Sequence, residues 1–199
     1  MKTGKIVWLI GLAVLVNGAA FAAEQPQMTP EQQAQMEKMK ALMAPSEAHK
    51  VLEPLAGKWT YTAKFWMDPS KAPEESAGTS EAEMIYGGRF LKETVRGTWM
   101  GEPFEGTGYT GHDNVKQEYQ SVWIDGMGTA IMTSSGAYDA AAKTLKLGGT
   151  ASCPLTGEKD MKMRSELKID DADHHTLTGY HNGPDGKEVK GMEIVYTRA

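Results

Sequence analysis

Only one of the 199 residues is cysteine, Cys153, so no intramolecular disulfide can staple this chain, and stability must come from a packed core. No Gly-x-Ser-x-Gly elbow, His-Glu-x-x-His helix or phosphate-binding Walker loop is present, and no Gly-x-Gly-x-x-Gly opens a helix, which removes the common signatures of hydrolases, zinc proteases and nucleotide enzymes. Basic residues are the minority, 21 against 26 acidic, so a nucleic acid or an anionic lipid surface is a poor partner. The longest apolar run, Ile6 to Val16, is too short for a comfortable membrane span.

That run reads as an address. Lys2 and Lys5 form a basic start, and Ala20-Phe21-Ala22 has the small-x-small pattern of a signal-peptidase site. The expectation is a signal peptide over residues 1–22, a helical segment over 23–45 and one barrel domain over 46–199. No cysteine follows the cleavage site, so the chain is expected to be periplasmic or secreted, without a lipid anchor or stable membrane insertion. Loss of Lys2 and Lys5 leaves a formal charge of about −7. Roughly 175 remaining residues suffice for one domain.

Two short helices are expected first. Thr29-Pro30-Glu31-Gln32 combines an N-cap, a proline at the first helical position and a glutamine able to reach back to the cap. This helix should reach Met43, where Pro45 stops it, and Ser46 should cap a second helix ending before Gly57. Met36, Met39 and Met43 stripe one face of the first helix. Thioether sulfurs at that spacing suit Cu(I), but they equally make an adaptable apolar surface, so residues 29–43 are the candidate docking face for a protein partner.

From Trp59 the period changes to two. Trp59, Tyr61, Ala63, Phe65 and Met67 alternate with Lys58, Thr60, Thr62 and Lys64, as in a strand with one buried side. Met161, Met163, Ser165, Leu167 and Ile169 repeat the pattern, and Met192, Ile194 and Tyr196 do so less cleanly. Turn chemistry at Asp68-Pro69, Gly87-Gly88, Asp113-Asn114, Asp125-Gly126 and Gly183-Pro184-Asp185-Gly186, among others, cuts the chain into about ten hairpin-linked strands. Short strands without helical crossovers predict an all-β fold: a closed up-and-down antiparallel barrel, with a sandwich as the alternative. An even strand number brings the last strand antiparallel to the first. Arg198 is then expected to stack on Trp59, next to the structural Gly57.

The candidate interior is large, aromatic and partly polar: Trp59, Tyr61, Phe65, Met84, Tyr86, Trp123 and Met163, with His181 aimed inward near a rim. Tyr119, Ser121, Trp123 and Asp125 share one face of their strand, and the pattern leaves open whether that face or Gln120, Val122 and Ile124 points in. His174 and His175 point to opposite faces, which spoils them as a chelating pair, while His112 reads as a turn residue. Asp170, Asp171 and Asp173 read as a solvated turn rather than a metal site. No catalytic set is legible; a catalytic use would need an inward acid or base, for which His181, Glu93 and Asp125 are the candidates.

The blocks His49-Lys50-Val51-Leu52-Glu53-Pro54-Leu55-Ala56-Gly57-Lys58-Trp59, Gly87-Gly88-Arg89-Phe90-Leu91, Phe104-Glu105-Gly106, Trp123-Ile124-Asp125 and Pro184-Asp185-Gly186-Lys187-Glu188 resemble an uncharacterised bacterial domain-of-unknown-function family with a lipocalin-like (calycin) barrel. The resemblance spans nearly all of the chain after the first helix and implies a fold, with no activity attached. Nitrobindins, haem-binding barrels of similar shape, are the nearest functional analogue. Their early strand reads Gly-x-Trp-x-Gly-x-Gly, whereas this chain continues Trp59-Thr60-Tyr61-Thr62-Ala63. No cofactor is expected from the residues, although an inward His181 near the rim could ligate haem iron or move a proton. The functional expectation is a binder of a small apolar or amphipathic molecule, with protein docking through residues 29–43, or a haem-binding barrel, as the alternatives.

Overall fold

A computed structural model describes residues 28–154, 156–183 and 186–199. The expected signal peptide, residues 1–22, lies outside the described residues, as do Pro184 and Asp185 of the last turn.

Helix α1 spans Pro30–Met43 and starts as its cap predicts: the Gln32 backbone N–H donates to the Thr29 hydroxyl, and the Thr29 N–H donates to the Gln32 side chain. A single turn, α2 (Glu47–Lys50), and a 3-10 turn, Glu53–Leu55, replace the longer second helix expected from Ser46 to Ala56. Pro54 is the reason, because it has no N–H to give to Lys50 and its ring crowds that carbonyl.

Ten strands follow: β1 (Gly57–Phe65), β2 (Glu74–Ile85), β3 (Phe90–Trp99), β4 (Glu102–Asp113), β5 (Glu118–Asp125), β6 (Met132–Asp139), β7 (Thr144–Ala151), β8 (Met161–Ile169), β9 (His174–Asn182) and β10 (Glu188–Arg198). Each pairs antiparallel with the next, and β10 closes on β1 with Trp59 opposite Arg198 and Tyr61 opposite Tyr196. The closed up-and-down barrel expected from turn spacing is the observed one, and closure leaves no strand edge unpaired. The imperfect alternation of β10 has a local cause. The ladder to β9 shifts between Lys190 and Met192, so Gly191 is an extra residue that reverses the facing of what precedes it.

In β1, Trp59, Tyr61 and Ala63 are buried while the intervening residues are exposed, as their alternation requires. The strand ends at Phe65, however. Met67 lies beyond it and is 59% exposed, because Asp68 turns the chain by accepting hydrogen bonds from the Ser70 N–H and hydroxyl.

One end of the barrel is plugged. Leu52 and Leu55, from the segment before β1, pack into the opening against Leu91, Tyr119, Leu145 and Leu147, each contributing on the order of 1.5–3 kcal/mol of burial. The Tyr119 hydroxyl donates to the Ala48 carbonyl at 2.7 Å and the Ser46 hydroxyl to Asn114 at 2.9 Å, so hydrogen bonds join plug and barrel. His112 is not a turn residue. It lies one residue before the end of β4, on the inner face, 4.9 Å from the Tyr119 ring and 5.7 Å from the buried His49 of α2.

Gly57 opens β1 with φ of 142°, a conformation that costs glycine least, and a Cβ there would collide with the Arg198 guanidinium. That guanidinium lies 4.1 Å above the Trp59 ring, as expected, and donates to the carbonyls of Pro54, Ala56 and Ala172. Trp59 Nε1 donates to the Leu55 carbonyl at 2.9 Å, so Arg198 and Trp59 together fasten the plug to the last strand.

Candidate functional site

Register fixes which residues face inward. Tyr119 is buried against the plug and Ser121, Trp123 and Asp125 share its face, so the question left by the sequence is settled: the aromatic row points in and Gln120, Val122 and Ile124 point out. Trp123 folds back over Gly106 and Gly108 of β4, where any side chain would strike its ring. Its indole N–H donates to the Asp125 carboxylate at 2.9 Å, which orients the ring.

Above the plug, several inward side chains keep accessible surface. Glu93, Ser121, Trp123, Met163, Ser165 and Leu177 all face inward, yet each keeps solvent-accessible surface. For a side chain on the inner wall of a closed barrel, accessible surface means a void in front of it.

The other sequence candidates divide by depth. Trp59 and Tyr61 are sealed in the lower wall, where Tyr61 lies over Gly78 and Gly97 and packs with Val95 and Tyr196. Met84 packs on the plug cluster. Phe65 stands near the open end, 4.1 Å from Trp99 in an edge-to-face contact. Met163 and His181 face each other across β8 and β9. Tyr86 is a correction: it is 75% exposed and outside the lumen. The turn begins one residue earlier than the Met84/Tyr86 alternation implies, closed by the Arg89 N–H on the Ile85 carbonyl, and Tyr86 enters it with φ of 50°.

His181 Nδ1 lies 3.1 Å from the Asn182 carbonyl, and a Cβ on Gly191 would come within 2.8 Å of its Nε2. The three turn aspartates are likewise engaged: Asp170 accepts from Lys168 and Thr176, Asp171 meets His174, and Arg198 approaches Asp173.

Chemistry-bearing groups gather on the lower wall. Glu93 Oε1 accepts a 2.7 Å hydrogen bond from the Ser80 hydroxyl. Burial pushes the Glu93 carboxyl above its ordinary value, and the Ser80 bond offsets this only in part. Burial also raises the Tyr196 phenol, with Glu93 and Tyr61 adding to the effect. His175 is stacked on Tyr196 at 4.2 Å and meets Trp59 edge-on at 4.3 Å. Burial, and then the nearby Arg198 charge, lower its pKa from 6.5 to about 4, and its Nδ1 has no hydrogen-bond partner among the described residues. Of these groups Glu93 was a sequence candidate, as a possible inward acid. Ser80, His175 and Tyr196 were not, although Tyr196 sits on the inward alternation of β10.

A second concavity, about 990 Å³, lies on the outer face over Gln120, Ser135, Gly148 and Tyr180. Its charged wall is already paired, Arg164 to Glu188 and Glu166, with the guanidinium 3.9 Å over the Tyr180 ring. A carboxyl low in the inner wall that keeps accessible surface makes the lumen the stronger candidate.

Comparison with known proteins agrees on the fold. The crystal structure of Rv2717c from M. tuberculosis superposes with a TM-score of 0.59 at 20% identity, covering 78% of this chain and 99% of that one. A redesigned β-barrel, mFAP0, bound to DFHBI, aligns with 73% of this chain and 99% of its own at 14% identity and a TM-score of 0.39. No curated protein matches the sequence. The family profile described as "Protein of unknown function (DUF1579)" matches residues 44–198, and the chain belongs to that family.

Proposed function

We propose that this protein binds a small apolar or amphipathic molecule in the barrel lumen, entering at the end opposite the plug. The observation that carries this reading is Glu93. It lies deep in the lower wall, yet it keeps accessible surface, so there is space inside the barrel where a solid core would cover it. Trp123, Met163 and Leu177 line that space with apolar surface, and a few polar groups, Glu93 and Ser121 among them, can orient a ligand, the usual division of labour in small-molecule sites. The signal-like start of the chain supports a binder that works outside the cytoplasm, in the periplasm or secreted. Native mass spectrometry of protein purified from its host, before and after organic extraction, tests the reading. A small molecule that extraction releases supports it. A bare-chain mass, together with no uptake of added hydrophobic probes, refutes it.

A second reading has its own observation. Helix α1 buries none of its residues, and Met36, Met39, Leu42 and Met43 are exposed along it, Met43 to 64%. In this reading α1 docks a protein partner while the barrel serves as scaffold. Deleting residues 24–43 separates the two: a lumen binder keeps its small molecule, and a docking module loses its partner.

A further inference from the structure

Charge is sorted across the barrel wall. Of the lysines and arginines carried by the ten strands, Lys58, Lys64, Lys92, Arg96, Lys146, Lys162, Arg164, Lys168 and Lys190 all face outward, several of them paired with acids there. Arg198 alone turns in, and it is spent at the plug on Trp59 and three carbonyls. The ionisable groups facing the space above the plug include Glu93 and Asp125, and no strand cation joins them.

The two carboxylates are not equivalent. Asp125 is satisfied, accepting from the Trp123 indole and the Met127 N–H. Glu93 has one donor, Ser80 on Oε1, and its Oε2 receives no hydrogen bond from the described residues. Glu93 and Trp123 occupy the same register row on either side of Gly108, and the Trp123 ring leans over that glycine. Phe104 lies parallel to Trp123 at 6.5 Å. A carboxyl with an open oxygen, an aromatic face beside it and no competing cation make an environment that favours positive charge and penalises negative charge.

We propose that the lumen is selective for amphipathic cations, a protonated amine on an apolar body, with the ammonium set against Glu93 and flanked by the Trp123 ring. This rests on the lumen-binding reading above and adds the headgroup to it. An amine supplies the N–H donors that Oε2 lacks, and its charge replaces the water that burial removes from the carboxylate. A fatty acid would bring a second carboxylate to a wall that offers it no cation. Because burial raises the Glu93 pKa, a cation bound beside it should draw that pKa back down.

Three probes of one chain length test this on the full-length protein: decylamine, decanol and decanoate, titrated by calorimetry at neutral pH. The expected order is decylamine at least about tenfold tighter than decanol, with decanoate weakest. Glu93→Gln should cost the amine about tenfold and bring it to about the affinity of decanol. Equal affinities, or a preference for decanoate, overturn the cation inference and leave lumen binding standing. Binding of none of the three overturns both. Should Glu93→Gln fail to fold, the order of affinities of the unaltered protein decides alone.

Discussion

His175 gives the sharpest test of how this barrel is held together. Its imidazole is packed between Tyr196 and Trp59 with an unpartnered Nδ1, and its pKa falls from 6.5 to about 4. Between those values the unfolded chain binds a proton that the folded chain refuses, so stability falls as the pH drops from 6.5 towards 4. At about 1.36 kcal/mol per unit, the loss from this one residue is about 3 kcal/mol, complete below pH 4. His175→Phe keeps an aromatic ring in the stack and removes the titration. Urea unfolding of both proteins at pH 7.5, 6, 5 and 4 should show the variant gaining about 3 kcal/mol relative to the parent across the series, about 1.5 M in midpoint for an m-value near 2 kcal/mol/M. Other groups titrate in both proteins and cancel in the difference. A difference between the two that stays constant from pH 7.5 to 4 would refute the reasoning and mean that His175 is protonated in the folded barrel.

Further outcomes follow from the same geometry. Glu93→Gln removes a group whose folded pKa lies above 4.5, so it should stabilise the barrel progressively as the pH rises above 4.5, by about 1.4 kcal/mol for each unit of the shift; equal stability gains at every pH would show that Glu93 ionises freely. Arg198→Met loses the contact with Trp59 and three carbonyl acceptors and should cost about 2–4 kcal/mol in thermal unfolding, with Arg198→Lys recovering less than half; a cost below about 0.5 kcal/mol would make Arg198 a solvated terminus. Gly106→Ala drives a methyl into the Trp123 ring and should cost about 1–3 kcal/mol with a changed near-ultraviolet dichroism spectrum, and an unchanged spectrum would place the ring elsewhere. Deleting residues 24–43 should lower the barrel's melting temperature by only about 2–6 °C, since α1 buries no side chain and meets the barrel through the Leu42 and Met43 carbonyls that accept from Asn114 and Arg89; a loss above about 10 °C would show that more than those two hydrogen bonds ties α1 to the barrel.

The architecture was unusually open to reading from local signals. Alternation in Trp59-Tyr61-Ala63 and Met161 to Ile169, with polar turns between runs, is a property of neighbouring residues, and ten such runs close in only a few ways. The Arg198–Trp59 contact was legible for the same reason, because strand parity alone sets which end the last residue reaches. Where local signals overlapped, the reading slipped. Tyr86 continued an alternation that the Gly87-Gly88 turn cut short, and Pro54 broke a helix that the apolar pattern continued.

The site was far less legible. Its defining groups, Glu93, Ser80, Tyr196 and His175, come from four strands, and 116 positions separate Ser80 from Tyr196. Nothing near His175 in sequence says that it is the inward histidine stacked on Tyr196, since His174 beside it has the same side chain and the opposite environment.

Element type, strand number and the presence of a capped leading helix therefore belong to the sequence, because turn chemistry and side-chain period act over a few residues. Which face of β5 points inward, whether the barrel is hollow, and which carboxyl lies buried without a cation belong to the tertiary structure. Those depend on closure, which sets the register of all ten strands together and brings distant side chains into one desolvated space.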